Sequence, residues 1–279
     1  MYERRNYLHM AYHESGEGGA SPRESINLDG ISSESQVSLR ELRESDIDSI
    51  ARIVQKTWFS AMDSPVPVSP DGEEKDGRAP VPDQAQNESQ ARRKFYAAKY
   101  DFLWYLSRCT HSVVAEADGK PLGIVLADIY SSHESGVQAL KGQDTIFADY
   151  DTWIRTAVPD GNKYAEAIRQ DDARTHELSD PVKPHTEAEI VLFIVDGSMR
   201  GQGLGKALWL SMLETLDRHR VRRYFLYTDT ECNYMFYEYR GLLRVAEKIN
   251  AKGPMGEPLD KFIYLGSPTE SLSDDGQRQ

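Results

Sequence analysis

"SMRGQGLGKALW", Ser198 to Trp209, sets three glycines on alternate positions, Gly201, Gly203 and Gly205, with Arg200 ahead of them and Lys206 behind. Upstream, "EIVLFIVD" (189–196) is rich in β-branched and aromatic residues and reads as a strand. Downstream, "LGKALWLSMLETLDRHR" (204–220) repeats its apolar residues at helical spacing. A strand, a glycine turn and a helix in that order aim unpaired backbone N–H groups and the positive end of a helix dipole at one point, which suits an anion. Spacing excludes two nucleotide motifs. A dinucleotide fingerprint needs G-x-G-x-x-G, and here the third glycine comes one residue early. A P-loop needs Ser or Thr after its lysine, and Lys206 is followed by Ala207.

Working outward, "QVSLREL" (36–42) reads as an edge strand with Val37, Leu39 and Glu41 on one face. Ser45-Asp46 caps a helix whose stripe is Ile47, Ile50, Ile53, Val54 and Trp58. A proline- and carboxylate-rich stretch follows and reads as an exposed loop. Residues 90–109 form a second helix with an aromatic side, and 111–130 a hairpin turning at Asp118-Gly119. Two short helices are expected within 131–187, which lacks a simple period. Beyond the glycine turn come the helix 203–218, a strand at 222–228, a short helix at 232–240, and strands near 242–249 and 260–265. The reading is one mixed α/β domain over 37–266 carrying insertions at 59–90 and 131–187. Polar compositions predict a disordered tail over 1–36 and a flexible one over 267–279.

Lys and Arg number 33 against 45 Asp and Glu, a formal charge of -12, which argues against a nucleic-acid or anionic-membrane binder. Two cysteines, Cys109 and Cys232, are too few for a disulfide framework. The opening residues lack an apolar signal core and no apolar run reaches membrane-spanning length, so a cytoplasmic protein is expected.

"RGQGLG" resembles the R/Q-x-x-G-x-G/A pyrophosphate loop of the GNAT N-acetyltransferase superfamily, with Arg200, Gly203 and Gly205 on its fixed positions. "VSLRELRESDIDSIARIVQKTW" is similar to the family's first strand and helix, and "VVAEADGKPLGIVLADIY" to its second and third strands. "FYEYRGLLRVAE" resembles its F-Y-x-x-x-G-F segment, with Leu242 in place of phenylalanine. The resemblance implies a three-layer α/β/α fold around a central mixed, mostly antiparallel sheet. It implies acetyl-CoA as co-substrate, held at the pyrophosphate by Arg200, Gly201, Gln202, Gly203, Leu204, Gly205 and Lys206. The pantetheine arm would lie along Phe193, Ile194 and Val195, where the strand splays from its neighbour. No metal is implied.

In the family a tyrosine after the fifth strand protonates the leaving thiolate, and that position is Tyr237 here. The same phenol also reads as packing beside Tyr234 and Tyr239. Asn233 falls where it can touch the cofactor arm or start a helix, although the commonest family asparagine stands seven residues before the tyrosine rather than four. Cys232 has no sequence neighbour placed to activate it and reads as packing. For the base, Glu187 and Glu189 share one side of a strand, and His185 is a third candidate whose ordinary pKa suits the task.

The acceptor is set by the two insertions. Phe147, Tyr150, Trp153 and Tyr164 either wall a pocket or form the small core of the second insertion. An insertion of that length narrows an open groove, so the expected acceptor is the primary amine of a small molecule, acylated by direct attack in a ternary complex. Acetylation of a protein N-terminus or lysine, and a catalytically silent acyl-CoA sensor or scaffold, stand as alternatives. Neither nucleic acid nor membrane is expected as partner, and a homodimer is left open.

Overall fold

The computed structural model describes residues 24–26, 37–59, 84–253 and 258–277. Among them the apolar and alternating runs form one eight-stranded sheet. Its strands are β1 (Glu24–Ile26), β2 (Val37–Arg40), β3 (His111–Ala117), β4 (Lys120–Ile129), β5 (Ala188–Val195), β6 (Tyr224–Asp229), β7 (Leu243–Lys252) and β8 (Pro258–Gly266). They run in the order β1-β2-β3-β4-β5-β6-β8-β7. Every neighbouring pair is antiparallel except β5 and β6. A parallel pair cannot be closed by a hairpin, so a helix must cross over one face of the sheet.

The helices are α1 (Ile47–Trp58), α2 (Gln84–Leu106), α3 (Gln143–Ala157), α4 (Gly161–Ser179), α5 (Leu204–Arg218), α6 (Met235–Tyr239) and α7 (Pro268–Gln277). α5 is the crossover, and it buries Leu204, Leu208, Trp209, Met212, Leu213 and Leu216 against one face. α1 buries the expected Ile47, Ile50, Ile53 and Val54 on the other face, where Phe102, Leu103 and Leu106 of α2 join the same core. The result is the mixed, mostly antiparallel sheet between two helical layers that the family resemblance implies. Asp46 does not cap α1 through its side chain. Its buried carboxylate instead accepts from the Arg43 amide at 2.8 Å and from the Arg40 guanidinium, which also pairs with Glu116.

Three expectations about the segments outside the core need correction. Residues 24–26, assigned to a disordered tail, pair with β2. α2 begins at Gln84, within the stretch read as loop, so only 60–83 of the proline-rich segment lies outside the described residues. Residues 268–277, assigned to a flexible tail, form α7. It packs Leu272 on the α5 core and places Thr269 Oγ1 3.2 Å from Asp217 Oδ1. Its start is written in Ser267-Pro268-Thr269-Glu270, a capping-box pattern with proline at the first helical position.

The second insertion supplies α3 and α4, which stack on α2. Phe147, Tyr150 and Tyr164 pack with Tyr100, Ile154 and Ala165, so these aromatics build a small core. Tyr150 and Trp153 also border a shallow groove beside Lys99 and Asp48. The α3–α4 turn depends on Gly161, where an added Cβ would lie 2.0 Å from the Ile154 carbonyl oxygen. Backbone cannot give way there as a side chain would. Gly161→Ala is therefore expected to cost about 1–3 kcal/mol, seen as a fall of several degrees in the thermal midpoint by circular dichroism. An unchanged midpoint would show that the turn relaxes freely.

Candidate functional site

The parallel ladder between β5 and β6 is short. It consists of Ala188–Tyr224, Glu189–Phe225 and Ile190–Leu226. Beyond it β5 runs on to Val195 held only by β4, and β6 runs on to Asp229 held only by β8. The two strands therefore part and leave facing edges without partners in the sheet. A bulge drives the separation. Leu126 of β4 pairs with Leu192 and Ala127 with Ile190, so Val191 is an extra residue that bends β5. The extra residue also resets the faces of β5. Ala188, Ile190, Phe193 and Val195 belong to the α5 side, Leu192 and Ile194 to the α1–α2 side.

At the open end of this slot the chain makes the glycine turn. Asp196 Oδ1 accepts from the Ser198 amide at 3.0 Å and hydroxyl at 2.8 Å, closing a tight turn. Gly201 and Gly203 then take φ values of +78° and +80°, a region L side chains avoid. The first helical hydrogen bond runs from Ala207 N–H to the Gly203 carbonyl, 3.0 Å. The amides of Gly203, Leu204 and Gly205 precede it and point off the end of α5. Gly205 packs on the slot strand, where an added Cβ would lie 3.6 Å from Phe193 and 3.9 Å from Val195. Arg200 is exposed and Gln202 and Lys206 half-exposed around this cradle. Its shape, charge and N–H donors fit a pyrophosphate group.

Tyr237 lies on α6, buried against the α5 face of the slot. Its ring centroid is 5.7 Å from Trp209, which is itself 5.7 Å from Phe193 and 5.6 Å from Phe236. The Trp209 indole N–H is buried there without a hydrogen-bond partner. Burial pushes the Tyr237 phenol well above the ordinary tyrosine range, so it keeps its proton at neutral pH. Asn233 is exposed in the turn before α6, and its carbonyl accepts from the Phe236 amide at 3.1 Å. Burial likewise pushes the Cys232 thiol up to about 12.

The two carboxylates do not share one side of the strand as expected, because β5 begins at Ala188 and only Glu189 lies within it. Glu187 sits at the closed end of the parallel pair, where it accepts from the amides of Arg222 and Arg223 at 3.2 and 2.8 Å and from the Arg222 guanidinium. Glu189 is buried on the sheet face away from α5, with Oε1 3.5 Å from Arg108 Nη2. Burial pushes its carboxyl up, and Arg108, His176 and Lys183 pull part of that back. His185 is exposed on the turn before β5.

Around Glu189 stands a polar group that sequence reasoning did not assemble. Arg108 comes from the α2–β3 connection, Asp172 and His176 from α4, and Tyr227 from β6. Arg108 Nη1 bonds Asp172 Oδ1 at 2.9 Å, and the His176 ring lies 6.3 Å from that of Tyr227. The one local signal was Asp172 and His176 four residues apart on a helix, hence on one face.

A family model for the acetyltransferase (GNAT) family matches residues 80–241, more than half of the chain, and the chain belongs to that family. Membership gives the class of reaction, acetyl transfer to an amine. Solved structures align at low identity. The Drosophila melanogaster polyamine N-acetyltransferase is 13% identical with a TM-score of 0.44, over 83% of this chain and 99% of its own. The PaiA N-acetyltransferase of Thermoplasma acidophilum, in complex with coenzyme A, is 12% identical with a TM-score of 0.41, over 83% and 98%. The search of curated proteins found no match. The assignment rests on the family model.

Burial also bears on the thiols. A thiol held near 12 carries about 10³-fold less thiolate at pH 8 than an ordinary cysteine. Native protein treated with Ellman's reagent at pH 8 is expected to label Cys109 and Cys232 slowly, and fully only on unfolding. Rapid native labelling of Cys232 would return it to the list of nucleophiles.

Proposed function

We propose that this chain transfers the acetyl group of acetyl-CoA to the primary amine of a small molecule by direct attack in a ternary complex. The observation that carries the reading is the parting of β5 and β6 after Ile190–Leu226, in line with the glycine cradle. Amides from Gly201 to Lys206 would hold the pyrophosphate, with Arg200 and Lys206 adding charge at its rim. The β5 edge at Phe193, Ile194 and Val195 offers backbone groups to an amide-bearing arm as a neighbouring strand would. Asn233 stands at the turn where that arm would end.

Acetyl-CoA supplies an activated acyl carbon, and the chain must manage protons around it. The amine has to be neutral when it attacks, and the departing thiolate needs a proton. Tyr237 suits the second task, because its buried phenol remains protonated and lies on the slot wall with Phe193 and Trp209. A small acceptor is favoured by the placement of α4. It packs on α2 and reaches β7 and β8, covering the face a peptide groove would need.

Calorimetry should show 1:1 acetyl-CoA binding that Gly203→Asp weakens severely, since a carboxylate at that position repels the anion. Unchanged affinity in folded variant would remove the cradle from the account. Labelled acetyl-CoA incubated with pooled amine metabolites, and separately with lysine peptides, should yield an acetylated metabolite; a peptide product alone would favour protein acetylation. With the acceptor found, Tyr237→Phe should lower kcat about 10²–10⁴-fold while leaving acetyl-CoA affinity intact. A loss under about threefold, with chemistry rate-limiting, would reduce Tyr237 to packing.

A further inference from the structure

We infer that His176, delivered by the inserted helix α4, is the base that takes the proton from the acceptor amine, while Glu189 serves as counter-ion to Arg108. This deepens the proposed function and rests on it. The slot has two faces. One is walled by α5 and α6 with Trp209, Phe236 and Tyr237. On the other, Glu189 is the penultimate rung of the β5–β6 ladder and Tyr227 the first residue of β6 beyond it. Helix α4 lies over that second face, and an amine approaching between the strands from the side away from α5 meets it.

The geometry fixes the tautomer of His176. Its Nδ1 is 2.8 Å from the Asp172 carbonyl oxygen and 3.3 Å from Asp172 Oδ2. Both are acceptors, so Nδ1 carries the ring proton and Nε2 keeps the lone pair of the neutral imidazole. Asp172 is itself held by Arg108, and Arg108 by Glu189. The side chain of His176 is 34% exposed, that of Glu189 only 4%. A proton taken by Nε2 therefore has a route to water, whereas one taken by Glu189 would neutralise a buried partner of Arg108 and have nowhere to go. Glu187 is engaged by Arg222 and Arg223 at the closed end of the strand pair.

The proton balance closes. An acceptor ammonium gives one N–H proton to His176 Nε2, and the neutral amine forms a C–N bond to the acyl carbon. The C–S bond breaks, the second N–H proton passes to the sulfur through Tyr237, and imidazolium returns its proton to solvent. Products are the N-acetyl amine, free thiol and one released proton.

The groups facing His176 are Asp172 on its own helix, Arg108 from the α2–β3 connection, Glu189 from β5 and Tyr227 from β6. Lys261 of β8 is taken up by Asp171 and Thr175 at 2.7 and 2.8 Å. The hydrogen bond to Asp172 raises the imidazole pKa above its ordinary value, burial and Arg108 opposing. A base is active when neutral, so the rate should fall as pH drops through that raised pKa.

Two measurements test the assignment. In the absence of any ligand, proton NMR of the imidazoles should assign to His176 a midpoint above about 6.5, with Nδ1 protonated in the neutral form. In turnover with spermidine, tyramine and glucosamine as probe amines, His176→Gln should lower kcat/KM about 10²–10⁴-fold and abolish the acid limb of the pH profile. Glu189→Gln should keep that limb, and both variants should bind acetyl-CoA normally by calorimetry. A His176→Gln enzyme within about threefold of the parent, or one that retains the limb while Glu189→Gln loses it, overturns the assignment and leaves the acetyltransferase reading standing. Failure of the unaltered protein to bind acetyl-CoA or to acetylate any amine overturns the parent reading and this one with it.

Discussion

The site depends on a parallel ladder that stops after three rungs. β5 and β6 are each fully held on their outer edges, by β4 and β8, yet they meet only from Ala188–Tyr224 to Ile190–Leu226. Two rigid edges diverge from a fixed apex. Backbone groups left without a strand partner are costly when buried and useful when a ligand can take them up. The bulge at Val191 makes the divergence possible, because one extra residue bends the strand and swaps its faces without breaking the β4 pairing. The glycine turn opens at Gly201, six residues after Val195 ends the strand, and inherits its position from that bend.

Much of this was legible, for reasons that can be named. Gly201 and Gly203 sit at φ near +80°, where a side chain is strained, so the turn had to be written in glycine. The α1 stripe, the Asp118-Gly119 hairpin and the α5 stripe follow periodicities that local packing enforces. What escaped were features made by distant residues. Arg108, His176, Glu189 and Tyr227 come from four separate elements, and no local spacing links them. α7 packs Leu272 on the core, too thin a stripe to be periodic, and its local signal is the Ser267–Glu270 cap. β1 is a three-residue strand in a polar segment, too short to show a period.

The insertion carries more than a cover. Its aromatic residues anchor α3 and α4 to α2, and that anchoring positions Asp172 and His176 over the sheet. A half-buried arginine between two carboxylates is poor evidence for stability in itself. Removing one partner would leave a charge alone, most costly at Glu189, the buried end of the network. Here the network links β5 to α4, so the geometry of the acceptor side is tied to the strand that bounds the slot.

Hydrogen exchange with and without coenzyme A tests the central claim most directly, since it reads the backbone edges themselves. The account predicts that coenzyme A slows exchange in two stretches together, residues 191–195 of β5 and the amides from 201 to 206, while the paired strands β2 and β3 stay unchanged. Protection confined to other surfaces, or binding with no change along β5, would contradict it.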